Sequence, residues 1–467
     1  MKRDITKGNI LSNLLFMAVP TMLGFLSHTL YDFVDMIWIG RISFQAVAAV
    51  GIFATIFWLV DILNEIIGVS SISIISQRYG KGDLEGTRKA IEQTVTFKWI
   101  MAAIAAVLFW FALEPFAHFF SKDPEVINYI LEYGRVRVFF LPFMFSSYTV
   151  YTALRCIGDS KKPMYLMGAS ALLNVILDPI FMFDSLPINL GFTQFVIPGL
   201  GLGVYRAALA TVVATFFAFV TGFYILISGR THIKISIRGL FRLDPALDRQ
   251  LLTIGLPSGL EMVFRNGSAI FILKLISLYG TPVVAAYSIV NRMFGVVIMP
   301  LLGMSMGGST IVGQCLGQDN IDRAKQTAIT AASFGVGVML ALTGLAAFGA
   351  EPLMGIFTDN MEVISEGVML IRIGMFSMVF LGITFGLGIV FTGSGWNMPM
   401  LISGIASRWI IQLPFSYLAA VVLGWPVWTL WLGMVISEVT EALVIFVAFK
   451  WDKWKTHRVA EEGMETA

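Results

Sequence analysis

Gln77-Arg78-Tyr79-Gly80-Lys81-Gly82-Asp83 closes one long apolar run, near residues 46–78, and Gln314-Cys315-Leu316-Gly317-Gln318-Asp319-Asn320 closes another, near residues 283–315. The two stretches lie 237 residues apart. The same shift aligns Pro20 with Pro257, Ala48 and Ala49 with Ala285 and Ala286, and Ile74 with Ile311, while Pro163-Met164 meets Pro399-Met400 at a shift of 236. Single apolar matches mean little in so apolar a chain. A Gln-x-x-Gly repeated at the end of equivalent runs and followed by a turn means more, and the chain reads as a duplication.

Working outward, 57% of the 467 residues are apolar and 13% charged, against about 25% charged in a soluble domain. Mean hydropathy is +0.79 over the whole length, which leaves no water-facing domain to find. At roughly 20 to 25 residues per crossing, the chain holds about twelve spans. Apolar runs lie near residues 10–39, 46–78, 88–118, 126–156, 163–186 and 201–228, and again near 247–279, 283–315, 322–349, 361–391, 398–424 and 426–452. The expectation is an all-α integral membrane protein with 12 transmembrane helices in two pseudo-symmetric six-helix bundles. Residues 1–228 form an N-terminal lobe, residues 229–246 a linker, and residues 247–467 a C-terminal lobe.

With the N-terminus inside, twenty-one Lys and Arg fall on inner segments, and Arg41 and Lys122 alone on outer loops. That asymmetry places both termini and the linker in the cytoplasm, in a cell membrane. The linker is amphipathic and basic, with Arg230, Lys234, Arg238, Arg242 and Arg249. A net charge of +2 gives no nucleic-acid surface. Cys156 and Cys315 sit near cytoplasmic helix ends and read as packing residues, and the four scattered histidines make no metal cluster with them. Gly303-Met304-Ser305-Met306-Gly307 copies a hydrolase nucleophile elbow but lies inside an apolar run, where it reads as small-residue helix packing.

Ionisable side chains within a span cost a few kcal/mol each, so each needs a partner, water or a task. Asp32 and Asp35 share a face of the first run, Asp32 reading as an interfacial carboxylate and Asp35, among Val34, Met36, Ile37 and Trp38, as a functional one. Asn174 and Asp178 are four residues apart, and Pro179 frees a backbone carbonyl beside them. These are hard oxygen donors that suit a small cation or a proton, with a packing hydrogen bond between amide and carboxylate as the alternative. Neither Asp35 nor Asp178 recurs in the second half, where Ile272 and either Leu413 or Pro414 stand opposite. A packing role shared by both lobes would repeat, so this chemistry is assigned to the N-terminal lobe. Asp61 and Glu65 read either as an acidic wall of a cavity or as partners of Arg135 or Arg137; Glu261 reads either as a substrate contact or as the neutralising partner of Arg265.

The run from Leu30 to Arg41, the Gln77-Arg78-Tyr79-Gly80 and Leu154-Arg155-Cys156-Ile157-Gly158-Asp159 segments, and Asn174 to Pro179 together resemble the multidrug and toxic compound extrusion (MATE) transporters of bacterial or archaeal type. The resemblance implies a gradient-driven antiporter that takes in Na+ or H+ and expels small organic, often cationic, compounds, with no enzymatic activity and no cofactor beyond the coupling ion. It further implies a cation site at Asp35, Asn174, Asp178 and Thr211, with Arg206 standing where a small residue is expected, and an acidic position at Glu261; by their placement within the spans, Asp32, Asp61, Glu65 and Arg265 join Glu261 as candidates for a substrate cavity. No metal is expected beyond Na+ at that site, and a monomer is expected. The intramembrane cations, among them Arg137, Arg265 and Arg408, keep a lipid-linked oligosaccharide flippase of the same superfamily as the alternative, with an integral-membrane enzyme behind it.

Overall fold

The computed structural model describes residues 4–183, 185–189, 194–198, 203–457 and 459. It is helical almost throughout. The first half comprises α1 (Ile10–Gly40), α2 (Phe44–Gly80), α3 (Leu84–Phe120), α4 (Pro124–Phe139), α5 (Leu141–Cys156), α6 (Lys161–Met182) and α7 (Gly203–Ile227). A short hairpin of β1 (Ser185–Asn189) and β2 (Gln194–Pro198) precedes α7. The second half comprises α8 (Ile237–Leu240), α9 (Pro245–Ile276), α10 (Thr281–Val297), α11 (Met299–Gly317), α12 (Ile321–Phe348), α13 (Ala350–Gly355), α14 (Met361–Ser394), α15 (Met398–Gly404), α16 (Leu413–Tyr417) and α17 (Trp428–Lys450). The long helices follow from apolar runs in which every backbone group must be satisfied within its own segment.

Among the described residues, eleven helical segments are long and apolar enough to cross a membrane. The sequence predicts twelve. The fourth run is present as α4 and α5, two 16-residue helices that meet at Phe140, so neither alone has a span's length. Asp123 caps α4 by accepting from the Glu125 N–H at 2.9 Å, and Pro142 begins the second piece without a donor to lose. Equivalent caps recur later: Asn360 accepts from Glu362 and Val363 at the start of α14, and Gly395 ends α14 in the left-handed region at φ 84°. Between α15 and α17 the helix widens into a π-helical stretch, Ile405–Gln412. Large side chains such as Phe111 and Phe348 are exposed, as lipid-facing positions require.

The chain falls into two compact units. The N-terminal unit comprises Leu23–Ser71 and Leu84–Leu251; the C-terminal unit comprises Leu252–Ala467 together with Met1–Met22 and Ile72–Asp83. The linker, residues 229–246, thus lies inside the N-terminal unit. Its core gathers Phe53, Phe57, Phe109, Tyr133 and Phe145. In the C-terminal unit Leu14, Met17, Met304, Phe391 and Trp454 pack together.

The repeated Gln-x-x-Gly acquires a physical reason in the C-terminal unit. A Cβ on Gly80 would strike the backbone of Gln314, and one on Gly317 would strike the carbonyl of Gln77, so each motif's glycine seats the other's backbone. Gln77 also donates to the Gly393 and Ser394 carbonyls at 2.9 and 3.1 Å and accepts from the Val459 N–H at 3.1 Å. That explains why the end of α2 belongs with the C-terminal half. Gly303 and Gly307 sit against Met22, Ala18 and Met17 of α1 in the same way, which makes that motif a packing device.

Candidate functional site

Three helices of the N-terminal unit supply the four residues expected to hold a cation. Asp35 comes from α1, Asn174 and Asp178 from successive turns of α6, and Thr211 from α7; all four are buried. Asn174 Nδ2 donates to Asp178 Oδ1 at 3.1 Å and to Thr211 Oγ1 at 3.4 Å, while the threonine hydroxyl donates to the Ala207 carbonyl at 3.1 Å. The amide is therefore turned so that its nitrogen serves its neighbours. Its oxygen is left over: Asn174 Oδ1, Asp178 Oδ2 and Asp35 Oδ1 are all buried and without a hydrogen-bond partner. Asp35 and Asp178 stand within electrostatic reach of each other. Neither is ion-paired among the described residues. Buried oxygens of this kind are costly unless something with positive charge or a proton meets them. The Arg206 side chain lies outside the described residues.

Asp35 also lines a cavity of about 410 Å³ within the same unit, together with the carboxylates of Asp32 and Asp61, with Arg137 and His28, and with several tyrosines. Arg137 takes its position from aromatic neighbours: it donates to the Tyr133 hydroxyl at 3.0 Å and its guanidinium lies 5.4 Å from the centre of the Phe57 ring. His28 meets the Tyr31 hydroxyl at 3.0 Å and the Asp32 carboxylate at 3.6 Å. One carboxylate, Asp35, therefore lines the cavity and also lies within electrostatic reach of the buried Asp178.

The other sequence-derived residues take different places. Asp61 lies within reach of Arg137, but Arg135 pairs with Glu114 at 3.7 Å instead. Glu65, one turn beyond Asp61, does not line the cavity and faces Lys98 and Arg155. Lys98 is a fully buried ammonium on α3 that the reading of the sequence passed over, although a lysine inside an apolar run is signal enough. In the C-terminal unit Glu261 and Arg265 do pair, at 2.6 Å. They are part of something larger. Arg265 also reaches Glu441 at 3.3 Å, and Arg408, from the π-helical stretch, pairs with Glu441 and with Glu438 at 3.0 Å. Glu438 and Glu441 on α17 were likewise missed, and Glu438 Oε2 is buried without a partner. Among the described residues no cluster of His, Cys, Asp and Glu has the makings of a transition-metal site.

Long apolar helices in a duplicated arrangement, a cavity with an acidic wall and a buried oxygen cluster joined to it define a multi-pass membrane transporter, not an enzyme. The MatE family model matches residues 20–180 and 257–418, two blocks that begin 237 residues apart, the shift at which the halves align. The chain belongs to the MatE family. It is 24% identical to the probable multidrug resistance protein YoeA of Bacillus subtilis, over 98% of this chain and 97% of that one. It is 26% identical to the probable multidrug resistance protein NorM of Thermotoga maritima, over 95% and 94%. A solved multidrug resistance MATE family transporter of the MOP superfamily, in an outward-facing conformation, superposes with a TM-score of 0.87 at 23% identity, covering 97% of this chain and 98% of that one.

Proposed function

We propose that the protein is a secondary active multidrug efflux antiporter that expels small organic, mostly cationic, compounds in exchange for inward Na+ or H+. One observation carries the reading: Asp35, on the wall of an acidic cavity, has a buried oxygen without a partner, as have Asn174 and, within its electrostatic reach, Asp178. Carboxylate, amide and hydroxyl oxygens are hard donors that suit Na+, and a proton on Asp35 or Asp178 would relieve the same burial cost. Coupling then follows from electrostatics. A cation or proton taken up by Asp35, Asn174, Asp178 and Thr211 cancels charge on the carboxylate that faces the cavity, so an organic cation held there is released. Once that site empties, the acidic wall again attracts substrate. A ligand that bound both conformations equally would drive nothing, so this antagonism is the minimum an exchanger needs.

The same reading places the N-terminal lobe, residues 1–228, and the C-terminal lobe, residues 247–467, around a linker at 229–246, with both termini and the linker in the cytoplasm and the protein a monomer in a plasma membrane. The cavity wall holds three carboxylates against one guanidinium and one imidazole, which supports an organic cation over the phosphate-bearing cargo of an oligosaccharide flippase. The test is transport by the purified protein in proteoliposomes under an imposed Na+ or proton gradient. Dye accumulation driven by at least one gradient, and lost in Asp178→Asn, is expected. Dye movement indifferent to both gradients overturns the proposal.

A further inference from the structure

The linker is fastened to one face of α3 with more care than a connection needs. Lys89, Glu92, Gln93 and Thr96 fall at positions i, i+3, i+4 and i+7 of that helix, and each holds a different point of the segment. The Glu92 carboxylate accepts from the Ser236 N–H at 2.6 Å, Thr96 donates to the Leu240 carbonyl at 2.7 Å, Lys89 pairs with Asp244 at 2.6 Å, and Gln93 donates to Asp248 at 2.6 Å. Gly239 is required at its place because a Cβ would collide with the Glu92 carboxylate. Ile233, Ile235 and Leu247 are buried beneath.

What this fastening leaves outside is of two kinds. Ile237, Phe241 and Leu243 are exposed, Phe241 at 83%, and Lys234, Arg238 and Arg242 stand exposed beside them. The acids of the neighbourhood, Glu92, Asp244 and Asp248, are all engaged with α3 or with the strapped backbone, and among the described residues Lys234, Arg238 and Arg242 form no ion pair. Exposed apolar and basic side chains therefore interleave along one strapped segment whose Lys234, Arg238 and Arg242 have no ion pair among the described residues. That surface is tethered at the membrane boundary, because Ala207–Ile227 and Pro245–Tyr279 on either side are spans. An amphipathic segment of this composition at that depth matches a bilayer with anionic headgroups.

We propose that residues 229–249 form an interfacial foot that binds anionic phospholipids of the adjacent leaflet, Arg238 and Arg242 taking headgroup phosphates while Ile237, Phe241 and Leu243 enter the acyl boundary. The inference is independent of which cation is coupled and of what is transported. Its consequence is that lipid charge bears on the end of α3.

The experiment uses the full-length protein in lipid nanodiscs, with Phe241→Cys carrying an environment-sensitive dye; Cys156 and Cys315 are buried and do not compete for the label. Quenching by spin-labelled phosphatidylcholine is measured in discs of phosphatidylcholine alone and with added phosphatidylglycerol. Quenching is expected to rise with phosphatidylglycerol. With each basic residue worth roughly a fivefold factor at a membrane surface, the Arg238→Gln, Arg242→Gln pair should reduce the preference for the anionic lipid about 25-fold. Equal quenching in both compositions, or quenching indifferent to the two arginines, overturns the proposal. So does shielding of the dye that grows with protein concentration regardless of lipid, which would assign the surface to a second copy. Leu243→Cys serves as an independent reporter should the first variant fail to fold.

Discussion

Asp35→Asn removes one charge from the cavity wall and almost no volume, which makes its effect on substrate binding open to calculation. Asp32 is mostly exposed at its carboxylate, so the charges that an organic cation in the cavity meets away from solvent are those of Asp35 and Asp61, and Asp35 is the more buried of the two. A cation about 5 Å away at an effective dielectric constant of about 20 gains roughly 3 kcal/mol from it. Loss of that term corresponds to about a hundredfold weaker binding. An uncharged hydrophobic compound of similar size loses only a polar contact and should bind within about threefold of the parent. Fluorescence polarisation with purified protein in detergent, comparing a monovalent cationic dye with an uncharged one, reads both numbers. Raising Na+ or lowering pH should weaken dye binding in the parent protein and have no such effect in Asp35→Asn. Equal losses for the charged and uncharged compounds would refute the electrostatic reasoning, since a general deformation of the cavity would then be the cause.

Asn174→Ala, which leaves Asp178 Oδ1 without its donor, should lower apparent cation affinity while preserving maximal transport at saturating gradient; a loss of maximal rate with unchanged affinity counts against a ligand role. Arg408→Met strands Glu438, leaves Glu441 with Arg265 alone, and should cost about 3 to 5 kcal/mol in unfolding measurements, whereas Glu438→Gln removes the carboxylate in excess over the two arginines and should lie within about 1 kcal/mol of the parent. The reverse order would show that the excess charge is itself required. Gly80→Ala and Gly317→Ala should each destabilise the folded protein by about 1 to 3 kcal/mol, because each adds a Cβ where the partner motif's backbone lies. Reporter fusions after residue 240 and at the C-terminus should both report a cytoplasmic location, and an active periplasmic reporter at either point reverses the topology.

The sequence shows what is local and hides what crosses between helices. Asn174 and Asp178 were legible as a pair because four residues is one helical turn, and Glu261 with Arg265 for the same reason. The partners that complete the second pair, Arg408, Glu438 and Glu441, are 147 to 180 residues from Glu261 along the chain. No spacing rule joins them. The glycine of Gln-x-x-Gly was legible as a repeat, but that each copy exists to receive the other was not. Gly239 gives no sign in sequence that Glu92 fills its missing side chain. The break at Phe140 was hidden too, since hydropathy runs on unbroken from α4 into α5 and only the backbone geometry changes.

The two units carry acids in contrasting electrostatic states, and the contrast bears on where coupling occurs. In the C-terminal unit every one of Glu261, Glu438 and Glu441 has a guanidinium bonded to it, so the positive charge is built into the chain and stays there. In the N-terminal unit Asp35 and Asp178 lie within electrostatic reach of each other, with no cation bonded to either among the described residues and with an oxygen of each left over. A charge supplied by the chain locks a site; a charge that is missing from the chain has to come from solution and can leave again. The scaffold was duplicated, but the answer to its buried acids was not. Under the antiport proposed above, a coupling ion needs the second kind of site, and Asp35, being also part of the cavity wall, is the carboxylate through which we propose that its arrival is felt by the substrate.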